Sequence, residues 1–306
     1  MTYSTGQTIV ATDFNTFATG VNDIWGTGTG DKGYGQTSTV SSVSASNSVT
    51  ATQWTTLLSR GNSAAGQQGS TWSAGTSVTA GNLIQILSTL STDITTITTN
   101  RLTHAGANLT TASLTSPTNA SSWTTSSTLI FTLTWADQDA TRAFFNSGGQ
   151  IQLAFSRSGG TSHSKNTGWT SLCTAAGTVV YGYGSTTKSG GSGSTSTLAT
   201  TTGYYQVTTS NVEIFKQFDT TSPYTANFIS VQVKTNTVTD PGSRGGKGNV
   251  LTFTVTFSDA AADTDANDTV DGTFTTAIST RRANTNFLNS PQPSNPTYSL
   301  TSWTAS

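Results

Sequence analysis

Charge is what this sequence most lacks. Its 306 residues hold 13 Lys and Arg against 14 Asp and Glu, so 9% of the chain is charged and the formal net charge is −1. An ordinary soluble domain carries roughly 25% charged residues. Glu occurs at one position, Glu213. Low hydrophobicity signals disorder when it is joined to high net charge; with 33% hydrophobic residues and a balance near zero, that signature is missing. Nucleic-acid binding needs a basic stripe to neutralise phosphates, and the thinly spread Lys and Arg make none. A surface without charge serves a free monomer badly and a subunit packed in an assembly well.

Cysteine is nearly absent too. Cys173 stands alone, which excludes an intrachain disulfide and a Cys-based zinc cluster. Long apolar runs are missing, so no membrane insertion is expected. Met1 is followed by Thr2, Tyr3 and Ser4, with neither a basic segment nor an apolar one, so no signal peptide is expected. These absences together point to folding in a reducing cytoplasm.

Thr, Ser, Gly and Asn fill the space that charge leaves. Thr favours a pleated strand, because its branched Cβ restricts χ1. A β-rich fold with hydroxyls on its outward faces follows. A length of 306 residues suggests about two domains.

The first hundred residues hold a degenerate repeat. Thr8-Ile9-Val10-Ala11-Thr12-Asp13-Phe14 is echoed by Ser48-Val49-Thr50-Ala51-Thr52-Gln53-Trp54 and again by Ser77-Val78-Thr79-Ala80-Gly81-Asn82-Leu83. After each copy the apolar residues take helical spacing: Phe14, Phe17, Val21 and Ile24; then Trp54, Leu57 and Leu58; then Leu83, Leu87, Leu90, Ile94 and Ile97. Region 1–103 therefore reads as three short helices that must pack on each other or on a partner, since each alone is too short to be stable. Residues 104–126, rich in Ser and Thr, read as a linker.

From residue 127 the period becomes two. Leu129, Phe131, Leu133 and Trp135 alternate with polar or smaller residues, as do Ile151, Leu153 and Phe155; Ile229, Val231 and Val233; and Leu251, Phe253, Val255 and Phe257. Further strands are expected at 179–183, 204–207, 212–218, 270–278 and 298–303. A short helix over 140–146 is expected to be capped by Asp139 and ended by Gly148-Gly149, with one of Phe144 and Phe145 in the core and the other at an edge. The loop 188–196 reads as mobile or partner-bound. The fold class expected is α+β: a small N-terminal helical region followed over 127–306 by an antiparallel, jelly-roll-like β-sandwich with an extended C-terminal tail.

Some segments resemble a known group. Phe14-Asn15-Thr16-Phe17 through Ile24-Trp25-Gly26, then Gly33-Tyr34-Gly35-Gln36, is similar to the start of virion proteins from tailed phages. Thr132-Leu133-Thr134-Trp135-Ala136-Asp137 followed by Arg142-Ala143-Phe144-Phe145-Asn146-Ser147-Gly148-Gly149-Gln150-Ile151 resembles the same group, as does Asp268-Thr269-Val270-Asp271-Gly272. The resemblance covers most of the chain. It implies a structural protein of the tail-fibre-like or appendage kind, located in the virion, with neighbouring virion proteins and other copies of itself as partners. It brings no catalytic residues.

The search for chemistry returns little. His104 and His163 sit in polar surroundings and read as exposed loop histidines rather than as part of a triad. Asp137, Asp139 and Glu213 make no acid–base pair across a cleft. Gly28, Gly30 and Gly33 have dinucleotide-like spacing but follow a helix instead of a strand, and 241–248 reads as a hairpin loop rather than a phosphate loop. No enzymatic activity and no obligatory cofactor are expected. Asp263, Asp265 and Asp268 lie in an acidic stretch that is a candidate calcium site, although the EF-hand spacing is not met. The plainer role for that stretch is a solvated acidic loop.

Two function classes remain. One is a virion component: a tail or neck appendage contributing to assembly or host attachment, with a head decoration or capsid-associated protein as its variant. The other is a carbohydrate-binding adhesion module for a host surface glycan. For that, Trp169, Tyr181, Tyr183, Tyr204 and Tyr205 are the candidate aromatics, and sandwich core or subunit interface is their plainer role.

Overall fold

The computed structural model describes residues 10–80, 87–239, 247–261 and 269–306. Three helices come first: α1 (Ala11–Trp25), α2 (Ala51–Gln68) and α3 (Leu87–Thr99). Phe14, Phe17, Val21 and Ile24 bury one stripe of α1. It packs on the α2 stripe of Trp54, Leu57 and Leu58 and on Leu90 and Ile97 of α3, forming one core. Both repeat copies that are described open their helix at the Ala. Thr50 makes a capping box with Gln53, whereas the equivalent Val10 offers no side-chain cap. The third copy lies partly outside the described residues. On the outer side of α3, Thr92, Thr95, Thr96 and Thr99 turn their hydroxyls back onto carbonyls four residues earlier.

The sandwich follows. Its elements are β1 (Leu109–Thr115), β2 (Thr118–Asn119), β3 (Ser126–Thr134), α4 (Gln138–Asn146), β4 (Gln150–Ser158), α5 (Ser164–Ala176), β5 (Thr178–Tyr181), β6 (Thr186–Ser189), β7 (Thr197–Leu198), β8 (Val212–Phe218), β9 (Phe228–Thr235), β10 (Val250–Ser258), β11 (Thr273–Ala283) and β12 (Thr297–Ala305). One sheet has the order β1-β11-β4-β5-β6, with β2 also pairing β11; the other runs β12-β3-β10-β9-β8-β7. All pairs are antiparallel. The fold class is therefore α+β, as expected. The chain crosses between sheets at β2–β3, β3–β4, β6–β7, β10–β11 and β11–β12, and its other connections stay within a sheet.

Aromatic rings bridge the two inner faces. Phe155 lies 5.9 Å from Phe257 and 6.5 Å from Phe215, and Tyr181 meets Phe253 edge-on at 5.6 Å. Helices plug the two ends. At one end α5 sets Trp169 5.0 Å from Trp123 and 5.9 Å from Phe274. Beside it, Lys165 and Asp259 form a fully buried ion pair at 2.8 Å. At the other end α4 carries both phenylalanines inward: Phe144 packs 5.2 Å from Trp135, and Phe145 stacks 4.6 Å from Tyr204.

Several sequence expectations need correction. Residues 104–126 are not a linker: β1 pairs with β11 from Leu109↔Ala283 onward, β2 pairs with the same strand, and Trp123 is bridged to Val270 and buried. An edge strand open on both faces shows no apolar alternation, so it reads as a linker. Phe144 and Phe145 are both fully buried, because α4 lies between the sandwich, which its rings meet, and the helical region, to which Arg142 and Asn146 are bonded. Asp137 rather than Asp139 caps α4, accepting from the Ala140 amide at 2.7 Å; Asp139 pairs instead with Arg142 at 3.0 Å. Residues 203–207 form a turn that closes on the Gly203 carbonyl instead of a strand. The C-terminal segment is extended only after it has crossed the helical region, where Leu288 is buried in that core.

Candidate interaction face

The outer side of the β12–β3–β10 sheet is a flat field of hydroxyls. Strand alternation sends Leu129, Phe131 and Leu133 inward, and so turns Thr128, Ile130, Thr132 and Thr134 outward. On β10 the same rule presents Thr252, Thr254 and Thr256. On β12 it presents Thr297, Ser299, Ser302 and Thr304. Register aligns these into rows across the strands. Ser299, Thr132, Thr252 and Lys234 form one; Thr304, Thr128, Thr256 and Ser230 form another. Thr hydroxyls beside branched methyls make a surface that both hydrogen-bonds and packs.

Charge enters from β9 onward, with Lys234 and then the Lys216 and Glu213 side chains of β8. Lys216 stands 4.0 Å from the Glu213 carboxylate and 4.0 Å above the Phe228 ring, so its charge is met from two sides. Glu213 also accepts from the Thr197 hydroxyl at 2.9 Å, which ties β7 to β8.

A second assembly of polar groups joins the helical region to the α4 end of the sandwich. Asn146 donates to the carbonyls of Asp31 and Gly33, each at 3.1 Å, and accepts from the Tyr205 hydroxyl at 2.7 Å. Arg142 donates to the Thr27 carbonyl at 2.7 Å. Gln67 donates to the Ser147 carbonyl at 2.8 Å, and Gln68 to the Tyr34 hydroxyl at 2.9 Å. Burial pushes the phenols of Tyr34 and Tyr205 far above their usual range, so both remain neutral donors. Segments 33–36 and 142–151 meet across this junction, where Asn146 is bonded to the Gly33 carbonyl.

The glycan candidates are not displayed. Trp169, Tyr181 and Tyr204 are buried in the sandwich core. Tyr183 and Tyr205 are half-buried beside it, and Tyr205 is tied to Asn146. Helix α5, strand β5 and the turns that carry them point these rings inward, so a sugar platform from them is corrected to a core role.

The histidines are less exposed than their polar neighbours in sequence suggest. His104 is half-buried in a cavity of about 130 Å³ beside Gly148, Gly149 and Tyr183. Burial, then the nearby Arg281, lowers its proton affinity. His163 precedes α5, with Nε2 2.8 Å from the Asn166 amide nitrogen. The Cys173 thiol is buried and pushed up to about 12, which leaves it inert at neutral pH.

Asp271 accepts from Thr161, Arg157 and Asn166, and these bonds overcome its desolvation to hold its carboxyl below the usual range. It is a structural anchor, a role that its place in the 268–272 segment did not reveal. The calcium candidates Asp263, Asp265 and Asp268 lie outside the described residues, as does most of 241–248. Among the described residues, no three His, Cys, Asp or Glu side chains gather in a metal-holding group. Among the described residues, no helix is long and apolar enough to cross a membrane. Comparison with protein-family models, curated proteins and solved structures finds no match.

Proposed function

We propose that this chain is a non-enzymatic structural subunit of a tailed-phage virion, stationed in a tail or neck appendage. The observation that carries this reading is the outward face of β12, β3 and β10, which presents Thr, Ser, Ile and Val and no ionised side chain. Such a face suits a permanent neighbour: burying hydroxyls that find new partners costs little, whereas burying charge costs several kcal/mol per ion. The resemblance of 14–36 and 132–151 to phage virion proteins supports the same reading. Its partners are neighbouring virion proteins and other copies of itself.

The test is location. Particles purified from lysed host cells are analysed by mass spectrometry and labelled with an antibody to the full chain. The reading expects the chain in the particles and the label at the tail or neck. Label on the head would make it a decoration protein. Absence from purified particles would remove the reading altogether.

A further inference from the structure

The four sheet edges of the sandwich are protected unequally. β7 spans only Thr197–Leu198, and β6 spans four residues that include Lys188. β1 is broken by a bulge between Ser113 and Thr115 and is followed by Pro117. Short strands, lysine, bulges and proline are the devices that stop an edge from pairing with another chain. β12 is different: it is nine residues long, holds no charge and no proline, and pairs on one side alone, with β3. One bulge, between Leu300 and Ser302, is its irregularity.

The strand is also firmly held. The Ser306 carbonyl accepts from the amides of Thr124 and Thr125, at 2.9 and 2.8 Å, which pins the chain end to the sheet. A preformed edge is ordered before a partner arrives, so pairing costs it little entropy. At its centre, Leu300 pairs with Phe131, on the core side of the sheet, yet is 50% exposed because, among the described residues, no strand lies beyond it.

We infer that β12 is a homodimerisation edge: it pairs antiparallel with β12 of a second copy, about a two-fold axis beside Leu300. A two-fold contact demands a self-complementary patch. β12 meets that demand, since it has no charge to oppose its own copy and one exposed apolar side chain at its middle. The axis sets Leu300 of each copy against its mate as a cross-strand pair and removes both from water. The two sheets then join into one continuous sheet, whose hydroxyl faces run together. This inference stands on the sheet edge and does not depend on the virion reading.

The test uses the full-length chain in solution. Leu300→Lys places two like charges at the axis. Leu300→Cys places two thiols there, and Thr304→Cys is the control. Antiparallel partners sit about 4.5–5.5 Å apart at Cα, within disulfide reach. The two Thr304 positions would be roughly 26 Å apart, from eight steps of about 3.3 Å. Cys173 is buried and does not interfere.

The expected results are a dimer by sedimentation for the parent, a dissociation constant raised roughly tenfold or more by Leu300→Lys with melting unchanged at concentrations where both chains are monomeric, and oxidative cross-linking of Leu300→Cys but not of Thr304→Cys. The inference is overturned by a parent that stays monomeric at its highest soluble concentration. It is equally overturned by a dimer that Leu300→Lys leaves intact, or by cross-linking that is as strong at Thr304 as at Leu300.

Discussion

The sandwich and the helical region bury their apolar surface by different routes. The sandwich closes on itself: two sheets face each other, α4 and α5 plug the ends, and two aromatic clusters fill the space between, one of Trp123, Trp169, Phe257 and Phe155 and one of Phe253, Tyr181 and Phe145. The helical region does not close. Its core has Phe14 edge-on to Trp54 at 5.2 Å, but it borrows Ala283 and Leu288 from the crossing between β11 and β12. Phe287 from the same crossing lies directly over Gly66 of α2, where any side chain would collide with it. The sandwich supplies a wall that the helices lack. Three short helices with sparse caps need such a wall, since nucleation is costly and packing must supply their stability. Cutting the chain near 110–126 would therefore not yield two independent pieces.

The largest test of this asymmetry compares one phenylalanine from each core. Phe145→Ala and Phe14→Ala each remove a fully buried ring and should each cost about 3–5 kcal/mol. Total stability for a protein of this kind is about 5–15 kcal/mol, so each change should lower the melting temperature visibly. Calorimetry should show one transition in the parent, because the borrowed residues couple the cores. Phe145→Ala should pull both regions down together. Phe14→Ala should leave a sandwich that still melts as a unit. A parent with two well-separated transitions would break the comparison.

A smaller change sharpens it. Asn146→Ala keeps both cores and removes the central tie between them. The carbonyls of Asp31 and Gly33 and the Tyr205 hydroxyl would each lose a partner. An unsatisfied buried group costs about 1–3 kcal/mol, and effects within one network are not additive, so a total of about 2–4 kcal/mol is expected. Hydrogen exchange should then rise in α1, α2 and α3 before it rises in β3, β4 and β10. Uniform acceleration across all six elements would mean that the junction is not what joins the regions.

Sequence reading found what is periodic. β3, β4, β9 and β10 are buried on one face and open on the other, so their alternation is plain, and the stripes of α1 and α2 repeat every three to four residues. It missed what depends on distant partners. β1 reads Leu-Thr-Thr-Ala-Ser-Leu-Thr and becomes a strand only because β11 lies beside it. Tyr204 and Val207 look like strand residues but are buried from a turn. The aromatics proposed for sugars were judged by type alone; their burial is decided by α4, β5 and α5, which local pattern cannot place. The hydroxyl face was half visible, as Thr at every second position of β3 and β10. The free edge at β12 was not, because strand order is absent from the sequence of strands.

The smallest predicted effect lies on the seam itself and concerns pH. His104 sits between α3 and β1, half-buried, with its ring close to the place a Gly148 side chain would occupy. Gly148 has φ +98°, so it turns the chain under that ring in a conformation that other residues resist. Burial, then Arg281, lowers the proton affinity of His104 in the folded chain. The unfolded chain keeps an ordinary affinity, near pH 6.5. Below that value the unfolded state binds more protons than the folded one, so stability falls as pH drops and levels off once the folded-state value is passed. Asp271 also titrates below its usual value, but its loss of stability begins near the carboxylate range and leaves the histidine window clear. Part of the ring meets water, so the effect is modest. Thermal melts of the parent should decline from about pH 7.5 to about pH 5, and His104→Gln should flatten that decline. Because the charge arises at the seam, exchange in α3 should respond before exchange in β10. Equal slopes for parent and variant would move the pH sensitivity off His104 and leave the junction electrically silent.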